Sequence, residues 1–253
     1  MTSRERIHLI SFAAEWTKLI SFASARGTIP PSGDLGYAFH QLLAETFGAA
    51  APKPFHFPDA VGGQAVAYSS HDAGTLKEIA LRQRETVPDW NLASEALGLP
   101  SLTSCALPDW TGGARYRFSV RTRPVCRISR HWERGMPREC DVFLRAVASK
   151  PDSSEWLGRQ EVYTAWFREN VPAAAASLVS VQVSRLSRCQ VYRKGAPRVE
   201  GPDVSFSGVL EIGDPDAFQD FVKRGAGRHR AFGFGMILLA SCGPGLGISS
   251  IGT

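Results

Sequence analysis

The sequence predicts an α+β protein made of two tandem ferredoxin-like domains. Three observations support this fold class. Strand-like and helical segments alternate in each half roughly as β-α-β followed by β-α-β, which is the order of a ferredoxin-like unit. The 253 residues are enough for two domains of ordinary size. A stretch rich in Pro and Gly, residues 87–113, separates the halves, so we expect one domain over 1–113 and a second over 114–253.

Elements of the first half follow from the spacing of apolar residues and from the residues that begin and end helices. The first predicted helix repeats apolar residues at helical spacing and ends at Gly27. Asp34 can cap the start of the second helix, which ends at Gly48. Pro54 suits an edge strand. In order we expect strand 7–12, helix 15–25, helix 34–47, strand 53–57, strand 62–68, helix 71–84 and a loop over 87–113.

The second half begins with a strand over 114–122, in which apolar and polar residues alternate. Near its end, Asp214 and Pro215 form an N-cap followed by proline at the first helical position, and Gly225 ends that helix. Ser187 and Arg188 suggest a hairpin turn. After the first strand we expect helix 140–148, helix 159–170, strands 178–186 and 189–193, strand 204–212, helix 217–224 and strand 235–242.

Positive charge is concentrated in the second half of the chain. Residues 1–115 have a net charge of −2, whereas residues 116–253 have a net charge of +7. Arginine supplies 23 of the 29 basic side chains. Because a guanidinium can bind two phosphate oxygens at once, this bias suggests a polyanionic partner such as nucleic acid.

A glycine-rich segment, Gly225-Ala-Gly-Arg-His-Arg-Ala-Phe-Gly-Phe-Gly235, lies between a predicted helix and the last strand. It is neither a dinucleotide fingerprint nor a P-loop, because the strand-before-helix order and the Lys-Ser/Thr end are missing. Glycines let backbone amides approach a bulky anion closely, and basic side chains add charge at the centre. We therefore expect it to bind RNA; the alternative is a turn that merely closes the domain. The residues concerned are Gly225, Gly227, Arg228, His229, Arg230, Gly233 and Gly235.

Tyr37 and His40 are three residues apart on the second predicted helix, beside its buried stripe. An imidazole can accept or donate a proton near neutral pH, and a phenol can orient or donate one. Cleavage of RNA without a metal requires such groups, because a 2′-hydroxyl must lose a proton and a 5′-oxygen must gain one. The alternative is a half-buried pair that is hydrogen-bonded to loops.

Eight arginines lie between residues 115 and 138, with Glu133 as the single acid among them. Such a stripe suits the phosphates of an A-form hairpin stem, although it could also be an ordinary solvated face. The arginines that we expect to contact RNA are Arg115, Arg117, Arg127, Arg130, Arg134 and Arg138.

Other classes of site have little support in the sequence. The five cysteines show no zinc-ligand spacing, so we expect no metal and no cofactor. No apolar stretch approaches the length of a membrane span, and no signal peptide is evident at the start. We therefore expect a cytoplasmic protein that does not associate with membranes.

In this order, the three features resemble the CRISPR repeat-processing endoribonucleases of the CasE subfamily, which belong to Cascade-type systems. The most specific match runs from Val204 to Leu239, where two Gly-x-Gly pairs flank five residues. Tyr37-Ala-Phe-His40 matches the helix in which the family has its catalytic histidine, with a tyrosine three residues earlier. Residues 33–57 and 116–147 are also similar to the family.

The resemblance implies two RRM-like domains with a cleft between them. By position, His40 would be the general acid or base, with Tyr37 as its partner, and Gly225–Gly235 would line the RNA-contacting loop. The arginines at 127, 130, 134 and 138 would grip the stem of a precursor RNA hairpin. The family cleaves at the base of that hairpin through the 2′-hydroxyl, without metal, and leaves a cyclic phosphate. The enzyme often retains this mature RNA and joins the other Cascade subunits.

Two alternatives stay open from the sequence. One is a non-catalytic subunit of the same complex that only binds the repeat hairpin. The other is a metabolic enzyme on a ferredoxin-like scaffold, for which the sequence shows no small-molecule pocket.

Overall fold

The computed structural model describes residues 6–29, 35–58, 64–127, 139–149, 158–191 and 199–242. The elements of the first half are β1 (His8–Phe12), α1 (Trp16–Arg26), α2 (Gly36–Phe47), β2 (Phe55–His56), β3 (Ala65–Ser69), α3 (Ala73–Arg82), α4 (Trp90–Leu97) and β4 (Thr103–Ala106). Those of the second half are β5 (Arg115–Thr122), β6 (Val125–Arg127), β7 (Glu139–Asp141), α5 (Val142–Ala148), α6 (Arg159–Asn170), β8 (Ala176–Val191), β9 (Val199–Ile212), α7 (Pro215–Arg224) and β10 (Ile237–Ser241).

Each half forms a four-stranded antiparallel sheet with the strand order of a ferredoxin-like domain. The first sheet has the order β2-β3-β1-β4 and the second has the order β10-β5-β9-β8. In each, the third strand of the half lies beside the first, so helical connections cross the sheet on one face. Two tandem ferredoxin-like domains are thereby confirmed. The strands β6 and β7 add a separate two-stranded hairpin to the second half.

The first core lies between the first sheet and its helices. Ile10 and Phe12 of β1 pack there against Phe39 and Leu42 of α2, and all four are fully buried. The predicted buried stripe of α2 is confirmed, since each of its members is at most 5% exposed: Leu35, Phe39, Leu42, Leu43 and Thr46. Apolar spacing on α2 therefore decides which of its faces remains available for chemistry.

The opposite face of the first sheet belongs to the second core. Leu9, Val66 and Tyr68 pack with residues of the second half there. The Tyr68 hydroxyl donates a hydrogen bond to the Ile237 carbonyl oxygen at 2.7 Å. Burial raises the pKa of Tyr68, so this hydroxyl stays protonated. The two sheets are thus joined through buried side chains, which fixes the position of one half against the other.

The prediction of a loop over 87–113 is wrong. These residues form α4, a short 3-10 turn at Leu99–Ser101 and β4, which is an edge strand of the first sheet. Gly98 ends α4 in a left-handed conformation, and a Cβ there would lie 2.2 Å from the Ala13 carbonyl oxygen. All four residues of β4 are exposed, so the strand lacks the apolar alternation that sequence patterns detect.

The predicted hairpin turn at Ser187 and Arg188 is also wrong. The strand β8 continues through both residues, which lie opposite Asp203 and Pro202 of β9. The predicted helix over 140–148 begins two residues later than expected, because Cys140 and Asp141 belong to β7. None of the helices in the ranges given above is long and apolar enough to cross a membrane.

Candidate functional site

Helix α2 holds Tyr37 and His40 at the edge of its buried stripe, where both side chains are half-buried. Their ring centroids are 6.1 Å apart, with 39° between the ring planes. The imidazole also lies nearly parallel to the ring of Phe55 on β2, at a centroid distance of 6.4 Å. Packing on two sides therefore orients the imidazole without burying it completely.

The glycine-rich loop is closed at its base by backbone hydrogen bonds. The Ala226 amide donates to the Gly235 carbonyl oxygen at 2.8 Å, and the Gly235 amide donates to the Arg121 carbonyl oxygen at 2.7 Å. Gly225 and Gly235 have φ angles of +72° and +87°. A Cβ on either would lie 2.6 Å or less from a carbonyl oxygen across this closure. Glycine is therefore required here by conformation and by space.

The middle of the loop reaches α2. Residues Arg230–Phe232 form a 3-10 turn, and the ring of Phe232 stacks on Tyr37 with centroids 5.2 Å apart. Gly233 lies against Phe55, since a Cβ there would be 3.1 Å from that ring. The tertiary structure thus brings together the predicted acid–base pair of the first half and the predicted anion-binding loop of the second.

Glu139, at the start of β7, is a residue of this site that the sequence analysis missed. Its carboxylate lies 2.7 Å from Nε of Arg228 and 2.5 Å from Nε2 of His229. The hydrogen bond with His229, aided by the charge of Arg228, lowers the pKa of Glu139 despite partial burial. The only signal in the sequence is its place as an acid directly after Arg138.

The second arginine of the loop, Arg230, points toward the helix that precedes the loop. Its Nη1 donates a hydrogen bond to the Arg224 carbonyl oxygen at 2.5 Å. That carbonyl belongs to the last residue of α7, where the helix dipole favours a positive charge. Arg230 is exposed, so the same guanidinium remains open to solvent.

The arginines predicted to bind RNA lie in different places. Arg115 and Arg117 are exposed on one face of β5, and Arg115 forms an ion pair with Glu211 at 2.8 Å. Since a strand rises about 3.3 Å per residue, Arg115 lies about 20 Å along β5 from the end that meets the glycine-rich loop. The structure therefore does not bring this pair to the loop. Arg127 is exposed at the end of β6, while Arg130, Arg134 and Arg138 lie outside the described residues.

Two further arginines of the same run support the fold instead. Arg121 is 7% exposed, forms a buried ion pair with Asp203 at 2.8 Å and lies over the ring of Phe234. Arg123 is fully buried and donates to the backbone carbonyl oxygens of Cys189 and Val199. Within the residues that the structure describes, no group of three or more His, Cys, Asp or Glu side chains is placed to hold a metal ion.

A family profile described as CRISPR associated protein matches residues 19–241. The chain belongs to this CRISPR associated protein family. The family resemblance seen in the sequence is thereby confirmed. A search of curated proteins found no match to the chain.

Solved structures with a fold similar to that of this chain include CRISPR endoribonuclease Cse3 bound to a 19-nucleotide RNA, with a TM-score of 0.59 and 18% identity. Cse3 of Thermus thermophilus, bound to an RNA representing a pre-cleavage complex, has a TM-score of 0.58 and 17% identity. Both matches cover 93% of this chain and 99% of the other. A chain of a CRISPR RNA-guided surveillance complex, pre-nicking, has a TM-score of 0.52 and 16% identity, and the match covers 92% of this chain and 99% of that one.

Proposed function

We propose that this protein is a metal-independent endoribonuclease that cleaves CRISPR precursor RNA at the base of the repeat hairpin. The observation that supports this most directly is the stacking of Tyr37 on Phe232, at a centroid distance of 5.2 Å. This contact places a group that can transfer protons beside a loop that can bind phosphate. The solved structures of similar fold include CRISPR endoribonuclease Cse3 bound to RNA, which agrees with this proposal.

In the proposed reaction, a ribose 2′-hydroxyl loses its proton and its oxygen attacks the adjacent phosphorus. The bond from phosphorus to the 5′-oxygen breaks, and that oxygen takes up a proton. The products are a 2′,3′-cyclic phosphate and a 5′-hydroxyl. His40 supplies one of the two proton transfers as general acid or base, and the Tyr37 hydroxyl orients it or shares the proton. The basic side chains and amides of the glycine-rich loop stabilise the extra negative charge on the phosphate.

The proposed RNA grip uses the basic second half of the chain. Arg127 begins the segment that contains Arg130, Arg134 and Arg138, and we assign these four to the phosphates of the hairpin stem. The mature RNA then stays bound, and the protein joins other subunits of a Cascade-type complex. We place the domain boundary between residues 113 and 114, since the first sheet ends at Ala106 and the second begins at Arg115.

The decisive experiment incubates the protein with its cognate repeat RNA in EDTA. We expect the parent to cut and His40→Ala to lose about 10²–10⁴-fold in single-turnover rate, because one proton transfer loses its catalyst. Hairpin affinity should stay nearly intact. Tyr37→Phe keeps the ring that stacks on Phe232, so its rate change reports on the hydroxyl alone. His71→Ala is the matched control, because His71 lies in the loop before α3, and it should cut as the parent does.

Other results of the cleavage and binding assays would contradict the proposal in different ways. If His40→Ala cuts as fast as the parent, His40 has no catalytic role. If the parent binds the hairpin in a salt-sensitive manner but cuts no hairpin, the protein is the non-catalytic binding subunit instead. Analysis of the 3′ end of the product identifies the cyclic phosphate, and a linear 3′-phosphate formed at the first time point would contradict attack by the 2′-hydroxyl.

A further inference from the structure

We infer that the Glu139 carboxylate occupies the anion site formed by Arg228 and His229, and that an RNA phosphate binds there by displacing it. This inference rests on the proposed function and specifies how the glycine-rich loop would receive the RNA backbone. The ligand is a phosphodiester, and the competitor is a carboxylate supplied by the protein itself.

The geometry of the contact resembles that of a bound oxyanion. One carboxylate oxygen lies 2.7 Å from the guanidinium of Arg228, and the other lies 2.5 Å from the imidazole of His229. A phosphodiester also presents two non-bridging oxygens, which can meet the same two donors. Nε of Arg228 is buried beside the carboxylate, but the side chain as a whole is 40% exposed, so a phosphate can approach the guanidinium from solvent. Glu139 and His229 are 17% and 15% exposed.

The loop holds its shape through backbone contacts that do not involve Glu139. The amides of Phe232 and Gly233 donate to the carbonyl oxygens of His229 and Arg230, and the Ala226–Gly235 closure fixes the base. His229 itself has a φ of +62°, in the left-handed region that non-glycine residues seldom adopt. This conformation directs the imidazole from within the backbone-bonded turn, so departure of the carboxylate leaves the backbone that carries both side chains in place.

Charge explains why we expect an RNA phosphate to replace the Glu139 carboxylate rather than to bind beside it. While Glu139 is bound, its negative charge offsets that of Arg228, and one of its oxygens lies against Arg228 while the other lies against His229. A phosphate added beside it would face a like charge at short range. Exchange of one anion for the other leaves the charge of Arg228 paired. Glu139 lies near solvent, so the released carboxylate can be hydrated.

Glu139→Gln tests this inference, because it keeps the size and hydrogen-bonding capacity of the side chain and removes the competing charge. Measured with uncleaved hairpin RNA in the His40→Ala background, affinity at low salt should rise by about three- to tenfold. The slope of log Kd against log salt should steepen by about one, since Arg228 then exchanges a solution anion for the phosphate. If Glu139 only supported the shape of the loop, its replacement would not steepen this slope.

Two further variants control the measurement. Glu95→Gln removes the carboxylate of an ion pair of similar length, 2.6 Å to Lys18, in the first half of the chain, and should change neither affinity nor slope. Glu139→Ala removes the charge without an amide and should also tighten binding, which covers the case in which the glutamine variant folds poorly. Thermal melting of each variant checks the fold.

Weaker or unchanged binding by folded Glu139→Gln and Glu139→Ala would overturn the inference and make Glu139 a positioning residue of the loop. That result is distinct from failure of the proposed function. If the parent itself does not bind the hairpin, the proposed function fails. If the parent binds and cuts but neither variant binds more tightly, only the displacement of Glu139 is wrong.

Discussion

Gly235→Ala should destabilise the protein much more than Gly113→Ala, although both glycines have positive φ angles. Gly113 has a φ of +78°, and a Cβ there would have no atom within 4 Å. Gly235 has a φ of +87°, and a Cβ there would lie 2.5 Å from the Ala226 carbonyl oxygen. The two variants therefore share the conformational cost, while the overlap occurs only at Gly235.

The expected magnitudes follow from these contacts. An L-residue in the left-handed region costs about 1–2 kcal/mol, which is the full cost for Gly113→Ala. Overpacking adds about 1–3 kcal/mol at Gly235, so that variant should lose about 2–5 kcal/mol. Relief by movement is restricted, because Ala226 and Gly235 are hydrogen-bonded to each other at 2.8 Å, and the Gly235 amide is bonded to Arg121.

Urea unfolding followed by circular dichroism measures both free energies under the same conditions. We also expect Gly235→Ala to weaken hairpin RNA binding, because the closure of the loop is disturbed, whereas Gly113→Ala should bind as the parent does. Equal losses of unfolding free energy in the two variants would refute the reasoning, since they would show that the Ala226 carbonyl moves aside at no cost.

Two other predictions concern buried polar groups of the second half. Asp203→Ala should lower the free energy of unfolding by about 3–5 kcal/mol, because it removes the carboxylate that is ion-paired with the buried Arg121; a loss below about 1 kcal/mol in urea titration would contradict this. Burial and a hydrogen bond to Asp141 raise the pKa of Tyr163 to about 12, so its contribution to stability is complete below pH 10 and is lost as the pH rises through 12. As the pH rises from 10 to 12, the free energy of unfolding of Tyr163→Phe should therefore fall by about 2–3 kcal/mol less than that of the parent. Equal falls in the two proteins would argue against the raised pKa.

The sequence predicted elements whose physical signals are local. The helix α6 has the predicted bounds of 159–170, because polar residues and an acidic first turn mark its start. Asp214 caps α7 as expected, since its carboxylate accepts a hydrogen bond from the Ala217 amide at 2.8 Å. The buried stripe of α2 also followed from apolar spacing, and that stripe left Tyr37 and His40 at its edge.

Elements whose signals are not local were missed. The strand β4 is short, polar and exposed on every side chain, and it exists because the edge of β1 can pair with it. The strand β8 continues through Ser187 and Arg188 because β9 supplies backbone partners for both. Pairing with a distant strand leaves no periodicity in the segment itself, so propensity alone suggested a loop and a turn.

By itself, the sequence determined the fold class, the faces of the principal helices and the two segments that make up the candidate site. The helix faces and the two segments depend on hydrophobic periodicity, capping and glycine placement, which act over a few residues, whereas the tandem ferredoxin-like topology depended also on the resemblance to the CasE subfamily. Only the tertiary structure decided that Tyr37 meets Phe232, that Glu139 pairs with Arg228 and His229, and that Arg121 is buried rather than free for RNA. Those outcomes depend on how two sheets pack through a shared core, which brings together residues far apart in the chain.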